Sequence, residues 1–219
     1  CSGDIRTLVD YENYATVSTA NARFCYLFRH CKSLTTAPEL PATTLSAWCY
    51  ESMFEGCSNL TSAPELPANK LASNCYYKMF EGCTSLTTAP ELPATTLADD
   101  CYYCMFKDCT RLTTVQQKLP AETLAGYCYS YMFYGCTSLN TAPELPATTL
   151  AECCYDAMFW DCTSLTTVPQ KLPAATLAYQ CYNRMFSGCT NLNTAPELPA
   201  TTLAKSCYRN MFNGCTNLT

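Results

Sequence analysis

Cysteine is the residue type in this sequence whose number and spacing could do chemistry. The chain has 219 residues, with 19 cysteines and one histidine. Fourteen of the cysteines stand in pairs eight residues apart, in segments such as Cys49–Cys57, which reads CYESMFEGC. Cysteine at this density can form disulfides, bind zinc or act as a nucleophile, and each of these possibilities makes its own demand on geometry.

Disulfide bonding conflicts with the spacing. A disulfide requires Cα atoms within about 7 Å, whereas two cysteines eight residues apart in a helix are separated by about 12 Å along its axis. Equivalent cysteines on neighbouring helices would lie about 8–10 Å apart. We therefore predict that the repeat cysteines are small buried hydrophobic residues. Cys25 lies outside the repeat register and is either a further buried thiol or the partner of Cys1.

Metal and catalytic chemistry lack partner residues. Cys101 and Cys104 form the only C-x-x-C pair, and no second pair or histidine cluster accompanies it, so no metal or cofactor is predicted. His30 is the single histidine, which leaves the repeated thiols without a general base. The Asp99-Asp100 pair occurs in one unit only. An enzyme is not expected.

The cysteine pairs belong to a strict internal repeat. Successive copies follow at steps of 26 or 27 residues and begin at Cys49, Cys75, Cys101, Cys128, Cys154, Cys181 and Cys207. Between them lies an equally regular stretch of the form LTTAPELPATTLA. A period this regular predicts a solenoid, in which each unit buries its apolar face against its neighbours.

Each unit shows the pattern of one short helix and one short extended rung. Thr44 can cap a helix in which Leu45, Cys49 and Met53 recur every four residues, and Gly56 can end it. Proline in the rung has no N–H that could donate a hydrogen bond to a neighbouring strand, which predicts a narrow sheet. We predict an α/β repeat protein: a right-handed, leucine-rich-repeat-like solenoid with one short helix and one short extended rung per 26–27-residue repeat.

Two regions are predicted within this one elongated domain. Residues 1–33 form an N-terminal cap and a degenerate first repeat, in which Ile5, Leu8 and Val9 lie in a strand over the open end. Residues 34–219 form the repeat solenoid. The sequence stops one helix into a unit, so the solenoid is expected to be truncated at its C-terminal end, with either more chain or end-to-end packing beyond it.

The charge balance excludes some partners. The net charge is −5, and charged residues make up 14% of the chain, so the basic stripe of a nucleic-acid-binding protein is missing. No apolar run is long enough to span a membrane. A signal peptide or targeting motif is not visible, although a trimmed chain would have lost it.

The repeat resembles the BspA-type (Treponema-type) leucine-rich repeat of surface proteins. The resemblance rests on an aromatic residue followed by Gly-Cys, two residues, Leu and a rung ending in Leu-Pro, as in Phe54, Gly56-Cys57, Leu60 and Leu66-Pro67. It recurs over about 190 residues. It implies a bacterial or phage-derived extracellular or cell-surface protein with an adhesive or binding role, and it carries over no residue-level function.

Five positions of each predicted helix vary between copies: 47, 48, 51, 52 and 55 in the first full copy. On a helical wheel they lie opposite the Leu, Met and Phe positions, so they are expected to face solvent, including Cys104 and Cys153. They hold six Tyr, two Trp and many Ser and Asn, residues that are enriched in antibody paratopes. The predicted ligand-binding residues are Trp48, Tyr77, Tyr103, Tyr127, Tyr131, Tyr134, Trp160, Tyr179 and Arg184.

These positions admit two interpretations. Outward residues can drift because packing does not constrain them, or they can form a recognition surface with a hot spot around Tyr131, Tyr134 and Trp160. The second interpretation predicts a binding or adhesion module for a protein or glycan ligand on another cell or particle. The alternative is a passive spacer or stalk that displays another domain.

Overall fold

The chain is a stack of coils, each of which is one 26- or 27-residue repeat. The computed structural model describes residues 3–16 and 23–219. In these ranges regular helix is limited to two 3-10 helices, Ile5–Leu8 and Tyr14–Thr16, and there is no strand longer than a single bridge. Of ten isolated parallel bridges, one joins the N-terminal segment to the first rung and nine join successive coils, at three places in the repeat. The repeat solenoid is therefore present, with very short extended rungs.

The predicted helix is not found in the described residues. The CYxxMFxGC motifs lie in turns, which span residues 47–56, 73–82, 99–108, 126–135, 152–161, 179–188 and 205–214. We call each of these turns, together with the cysteine that directly follows it, a turn segment. In the first of them, the N–H of Met53 donates to the carbonyl of Tyr50 three residues earlier, at 3.2 Å, whereas the N–H of Phe54 donates to Met79 of the next coil, at 2.9 Å. Successive N–H groups thus alternate between a carbonyl of the same segment and a carbonyl of the next coil. In an α-helix every N–H donates to the carbonyl four residues earlier in the same segment.

A left-handed residue at every fourth position produces this arrangement. In the first turn segment Trp48, Ser52 and Gly56 have φ of 62°, 49° and 70°. A positive φ at the third residue is the requirement of a type II turn. Over the described residues, 18 non-glycine residues have positive φ, and none of them is β-branched. This agrees with the particular steric cost of β-branched side chains in that conformation.

We predict that a β-branched residue at such a position destabilises the fold. Asn74 has a φ of 60°. Asn74→Val should lower the free energy of unfolding by at least about 1–2 kcal/mol, the steric cost of a left-handed residue with a Cβ, whereas Asn74→Gly should cost less. Ser73→Val is the matched control, because Ser73 is not among the positive-φ residues. Urea titration would contradict this prediction if the two valine variants were equally stable.

The inward side of the turn segments forms the core, as predicted. Cys49, Tyr50, Met53, Phe54 and Cys57 are each at most 1% exposed. Equivalent rings stack from coil to coil in two columns, with centroids 5.5–6.1 Å apart. Offset stacking of this kind adds about 0.5–1.5 kcal/mol per pair to the gain from burial.

The second cysteine of each turn segment has a defined hydrogen bond. The thiol of Cys83 donates to the carbonyl of Phe54 in the previous coil, at 3.1 Å, and the thiol of Cys109 bonds to Phe80 in the same way. The same bond recurs at Cys57, Cys136, Cys162, Cys189 and Cys215. The thiol is small enough for the core and still donates to a buried carbonyl, which explains this position in the repeat.

The N-terminal segment departs from the predicted strand. Ile5 to Leu8 form a 3-10 helix capped by Asp4, and pairing is limited to a parallel bridge between Asp4 and Glu39. Ile5 is 1% exposed and joins the core, whereas Leu8 and Val9 are 61% and 58% exposed. Burial of Ile5 and the backbone hydrogen bonds of Ile5 and Glu39 therefore hold this segment on the first rung.

Candidate interaction surface

Stacking the turn segments places equivalent variable positions one above another in columns. One column contains Tyr77 and Tyr103, the next Tyr131, and a third Tyr134 and Trp160. Inter-coil bonds fix the register, since the N–H of Tyr131 donates to the carbonyl of Asp156 at 2.8 Å. Side chains 26 or 27 residues apart in sequence are thereby brought into contact.

Six of the predicted binding residues form a continuous line of ring contacts, which we call the aromatic band: Trp48, Tyr77, Tyr103, Tyr131, Tyr134 and Trp160. Tyr77 and Tyr103 stack with centroids 4.9 Å apart, and Tyr134 and Trp160 are 5.1 Å apart at a tilt of 55°. Tyr131 contacts Tyr103 at 5.8 Å and Trp160 at 6.5 Å. The band crosses five coils, and the predicted cluster of Tyr131, Tyr134 and Trp160 lies at one end of it.

Cationic side chains border the band. The guanidinium of Arg184 lies 5.3 Å from the ring centroid of Trp160, and the ammonium of Lys107 lies 5.6 Å from that of Tyr134. Lys107 also pairs with Glu81 at 2.7 Å. Contacts of this kind contribute about 0.5–1 kcal/mol at exposed sites and hold the rings in fixed orientations. Arg184 thus joins the predicted surface through Trp160.

A buried carboxylate supports the band from below. Asp156 is 8% exposed and accepts a hydrogen bond from Asn183 at 2.8 Å. Burial raises the pKa of Asp156, while Asn183, Arg184 and Tyr131 act against that rise. Burial likewise raises the pKa of Tyr131. The sequence indicates only that Asp156 occupies a variable outward position, and it does not predict this supporting role.

Three of the predicted residues lie at the edges of the surface or beyond it. Trp48, at 40% exposure, ends the band at a tilted contact with Tyr77. Tyr127 and Tyr179 are 36% and 42% exposed but make none of the ring contacts found among the described residues. A side-chain hydrogen bond with Cys153 raises the pKa of Tyr127 to about 12. The structure therefore does not bring Tyr127 and Tyr179 together with the other predicted residues.

The expectation that all five variable positions face solvent is wrong for several small residues. Cys104 and Cys153, expected to be exposed, are 4% and 2% exposed. The same is true of Ser52, Ser130, Ala157, Asn183 and Ser187. Larger neighbours in the adjacent coils cover a short side chain in the same column. The position in the repeat thus determines whether a side chain points outward. How much of that side chain is exposed depends on the side chains in the coils above and below.

The composition of these positions also has a backbone cause. Two of the five positions, those of Trp48 and Ser52, have positive φ in every full copy. A β-branched residue is strongly disfavoured there, so the lack of Val, Ile and Thr at these two positions does not by itself indicate selection for binding. The abundance of Tyr and Trp is not explained by φ, because many other residues tolerate the same conformation.

Most cysteines in the described part of the chain lie in buried surroundings that disfavour the reactive thiolate. Those within the described residues are free thiols, and most of them are buried. Burial raises the pKa of Cys49 to about 11 and that of Cys75 to about 12. The described residues contain no group of three potential metal ligands. The alternative of a disulfide between Cys25 and Cys1 involves Cys1, which lies outside the described residues.

The stacked coils, their buried leucines and their variable outer columns define a leucine-rich-repeat solenoid. The chain belongs to the BspA-type leucine-rich repeat family: the family profile described as "BspA type Leucine rich repeat region" matches residues 24–166 and 105–219, with six copies. The resemblance inferred from the repeat residues is thereby confirmed. In the described parts of the chain, no helix has both the length and the apolar character needed to span a bilayer.

Two solved structures are similar to this chain. A leucine-rich repeat protein from Bacteroides ovatus ATCC 8483 is 20% identical with a TM-score of 0.45, and the match covers 89% of this chain and 56% of that one. A leucine rich cell surface protein from Faecalibacterium prausnitzii A2-165 is 14% identical with a TM-score of 0.30, covering 89% and 74%. The chain thus spans little more than half the length of the Bacteroides protein. Comparison with curated proteins gives no match.

Proposed function

We propose that this chain is a non-enzymatic binding module of an extracellular or cell-surface protein, and that the aromatic band holds a protein or glycan ligand. The observation that carries the proposal is the continuity of the band. Six Tyr and Trp side chains from five coils are in ring contact, although no inward packing requires aromatic residues there. Pre-positioned rings lose little conformational entropy when a ligand binds.

The surroundings of Trp160 suit a hot spot. Trp160 and Tyr131 are half-buried, so their rings are already oriented, and Arg184 lies over Trp160. Tyr, Trp and Arg are the residues that most often dominate the binding energy of an interface. The membership of the BspA-type leucine-rich repeat family supports an extracellular setting.

The test is loss of ligand binding when the cluster is removed. The triple variant Tyr131→Ser, Tyr134→Ser, Trp160→Ser should weaken binding to any ligand found on a printed glycan panel or a panel of purified secreted proteins by at least about 100-fold. This corresponds to about 2.8 kcal/mol. Because the three rings contact one another, we also expect a modest fall in melting temperature, which circular dichroism would measure.

The matched control is the double variant Tyr127→Ser, Tyr179→Ser. These residues are among the more exposed aromatic side chains and lie outside the band, so their loss should leave affinity within about twofold. Equal losses in the two variants would contradict a site at the band. A wild-type chain that binds nothing on either panel would favour the passive spacer, since a spacer needs the stack but no ligand.

A further inference from the structure

A second feature lies on the rung side of the coils, away from the aromatic band. Two adjoining cavities of about 500 and 430 Å³ share Pro64, Glu65 and Pro67. Together they form one open groove across three successive rungs, which we call the rung groove. Its walls carry two columns of proline: Pro38, Pro64 and Pro90, and Pro41, Pro67 and Pro93.

In the rung groove, the Glu-Leu parts of successive rungs are not hydrogen-bonded to one another. Farther along, the N–H of Leu119 donates to the carbonyl of Glu144 at 3.0 Å, and Glu144 donates to Gln117 at 2.8 Å. In the described residues no such bond joins the Glu-Leu parts of the rungs of Glu39, Glu65 and Glu91 to one another, although the N–H of Thr61 donates to the carbonyl of Thr35 at the start of the first two rungs. No acceptor for the N–H groups of Leu66 and Glu91 is found among the described residues. The coil containing Gln117 has one extra residue, and its rung is bonded to that of Glu144.

The charge of the groove has one sign. Among the described residues, the charged residues that line it are Glu39, Glu65 and Glu91, and all three are exposed. None of them takes part in the ion pairs found in the described residues. In the rungs that follow, Lys118 and Lys171 alternate with Glu in the same column. The uninterrupted carboxylates thus lie on the three rungs whose Glu-Leu parts are not bonded to one another.

We propose that the rung groove binds an extended cationic segment of a partner protein. Carboxylates complement Lys or Arg side chains, free N–H groups complement peptide carbonyls, and proline rings offer apolar walls to the aliphatic parts of the segment. A simple cation has no acceptor for the N–H groups, whereas a basic peptide supplies both kinds of group. Stacked rings show that coils lie roughly 5.5 Å apart, so three carboxylates span roughly 11 Å. This matches three to four residues of extended chain at about 3.3 Å each.

The probe is a fluorescein-labelled hexa-arginine peptide, with hexa-citrulline as its uncharged counterpart. Fluorescence anisotropy should show saturable binding of hexa-arginine and none of hexa-citrulline. The double variant Glu65→Gln, Glu91→Gln should weaken binding about tenfold, since two exposed ion pairs of roughly 0.7 kcal/mol each are lost. The variant Glu144→Gln, Glu197→Gln removes two charges from the same column outside the groove and should change affinity less than about twofold.

Three results would overturn the proposal. Equal weakening by the two glutamine pairs would show attraction to net charge alone. Equal affinity for spermine would show that a peptide backbone is not needed. Non-saturable binding would show that no site exists. The triple aromatic-band variant should bind hexa-arginine as the wild type does. A result against peptide binding in the rung groove can therefore be distinguished from a result against ligand binding at the aromatic band.

Discussion

Raising the pH from 8 to 10.5 is expected to unfold the protein. Burial raises the pKa of Cys49, Cys57 and Cys181 to about 11, and that of Cys75 and Cys104 to about 12. An unfolded thiol has a pKa of about 8.5. Above that pH the unfolded chain loses these protons while the folded chain keeps them, so the free energy of unfolding falls until the folded pKa is reached.

The size of this effect follows from the number of thiols. Each ionised unfolded thiol contributes about 1.4 kcal/mol per pH unit, so five thiols weaken the fold by about 7 kcal/mol per unit. This approaches the total stability of an ordinary domain, about 5–15 kcal/mol. The buried tyrosines act in the same direction at higher pH, because burial raises the pKa of Tyr76 and Tyr102 as well.

The measurement is a pH titration in the presence of a reductant. Thiolate absorbance near 240 nm and the loss of the native circular dichroism signal should appear together. Below pH 8 the free energy of unfolding should be nearly independent of these thiols, because both states keep them protonated. Thiolate formation near pH 9 with an unchanged circular dichroism spectrum would contradict the prediction, since it would show that the thiols are accessible in the folded chain.

Phe106→Ala is expected to cause the largest loss of stability among single substitutions of the stacked rings. Phe106 is fully buried and stacks between Phe80 and Phe133, with centroids 5.6 and 5.7 Å away. Removing a buried ring and leaving a cavity costs about 3–5 kcal/mol. Because each coil contacts only its neighbours, a weak coil in the middle of the stack also interrupts the coupling between the two halves.

The control for this substitution is Phe28→Ala. Phe28 is half-buried and, among the described residues, stacks on Phe54 alone, at 5.6 Å, so its loss should cost less than half as much. Urea unfolding can follow the two halves through Trp48 and Trp160, which lie on opposite sides of Phe106 in the stack. Equal losses in the two variants would show that the ring columns do not dominate the stability of the solenoid.

The structure shows why the sequence pattern predicted helices. Turn segments with a left-handed residue at every fourth position place residues four apart on the same side, so Cys49, Met53 and Cys57 are all buried. A helix with 3.6 residues per turn produces nearly the same spacing over nine residues. The period therefore determined which residues face inward. It could not distinguish a helix from a series of turns, because that choice depends on hydrogen bonds between coils.

The candidate surfaces were also only partly predictable from the sequence. The sequence identified the variable columns, and six of the nine predicted binding residues are in ring contact. It could not separate Tyr127 and Tyr179 from the band, or predict that Cys104 and Cys153 are covered, because exposure depends on side-chain sizes in neighbouring coils. The rung groove was not predicted either, since the near-constant rung shows little variation that would indicate a binding surface.

By itself, the sequence determined the repeat, its family, the buried Cys, Tyr, Met and Phe columns and the set of outward positions. The family follows from the resemblance of the repeat motif, and the rest follows from periodicity, which requires only that equivalent residues occupy equivalent environments. The tertiary structure alone decided the backbone conformation of the turn segments, the contacts along the aromatic band and the opening of the rung groove. Each of these depends on how one coil meets the next: which N–H groups find carbonyls, which side chains cover their neighbours, and where proline leaves a rung unpaired.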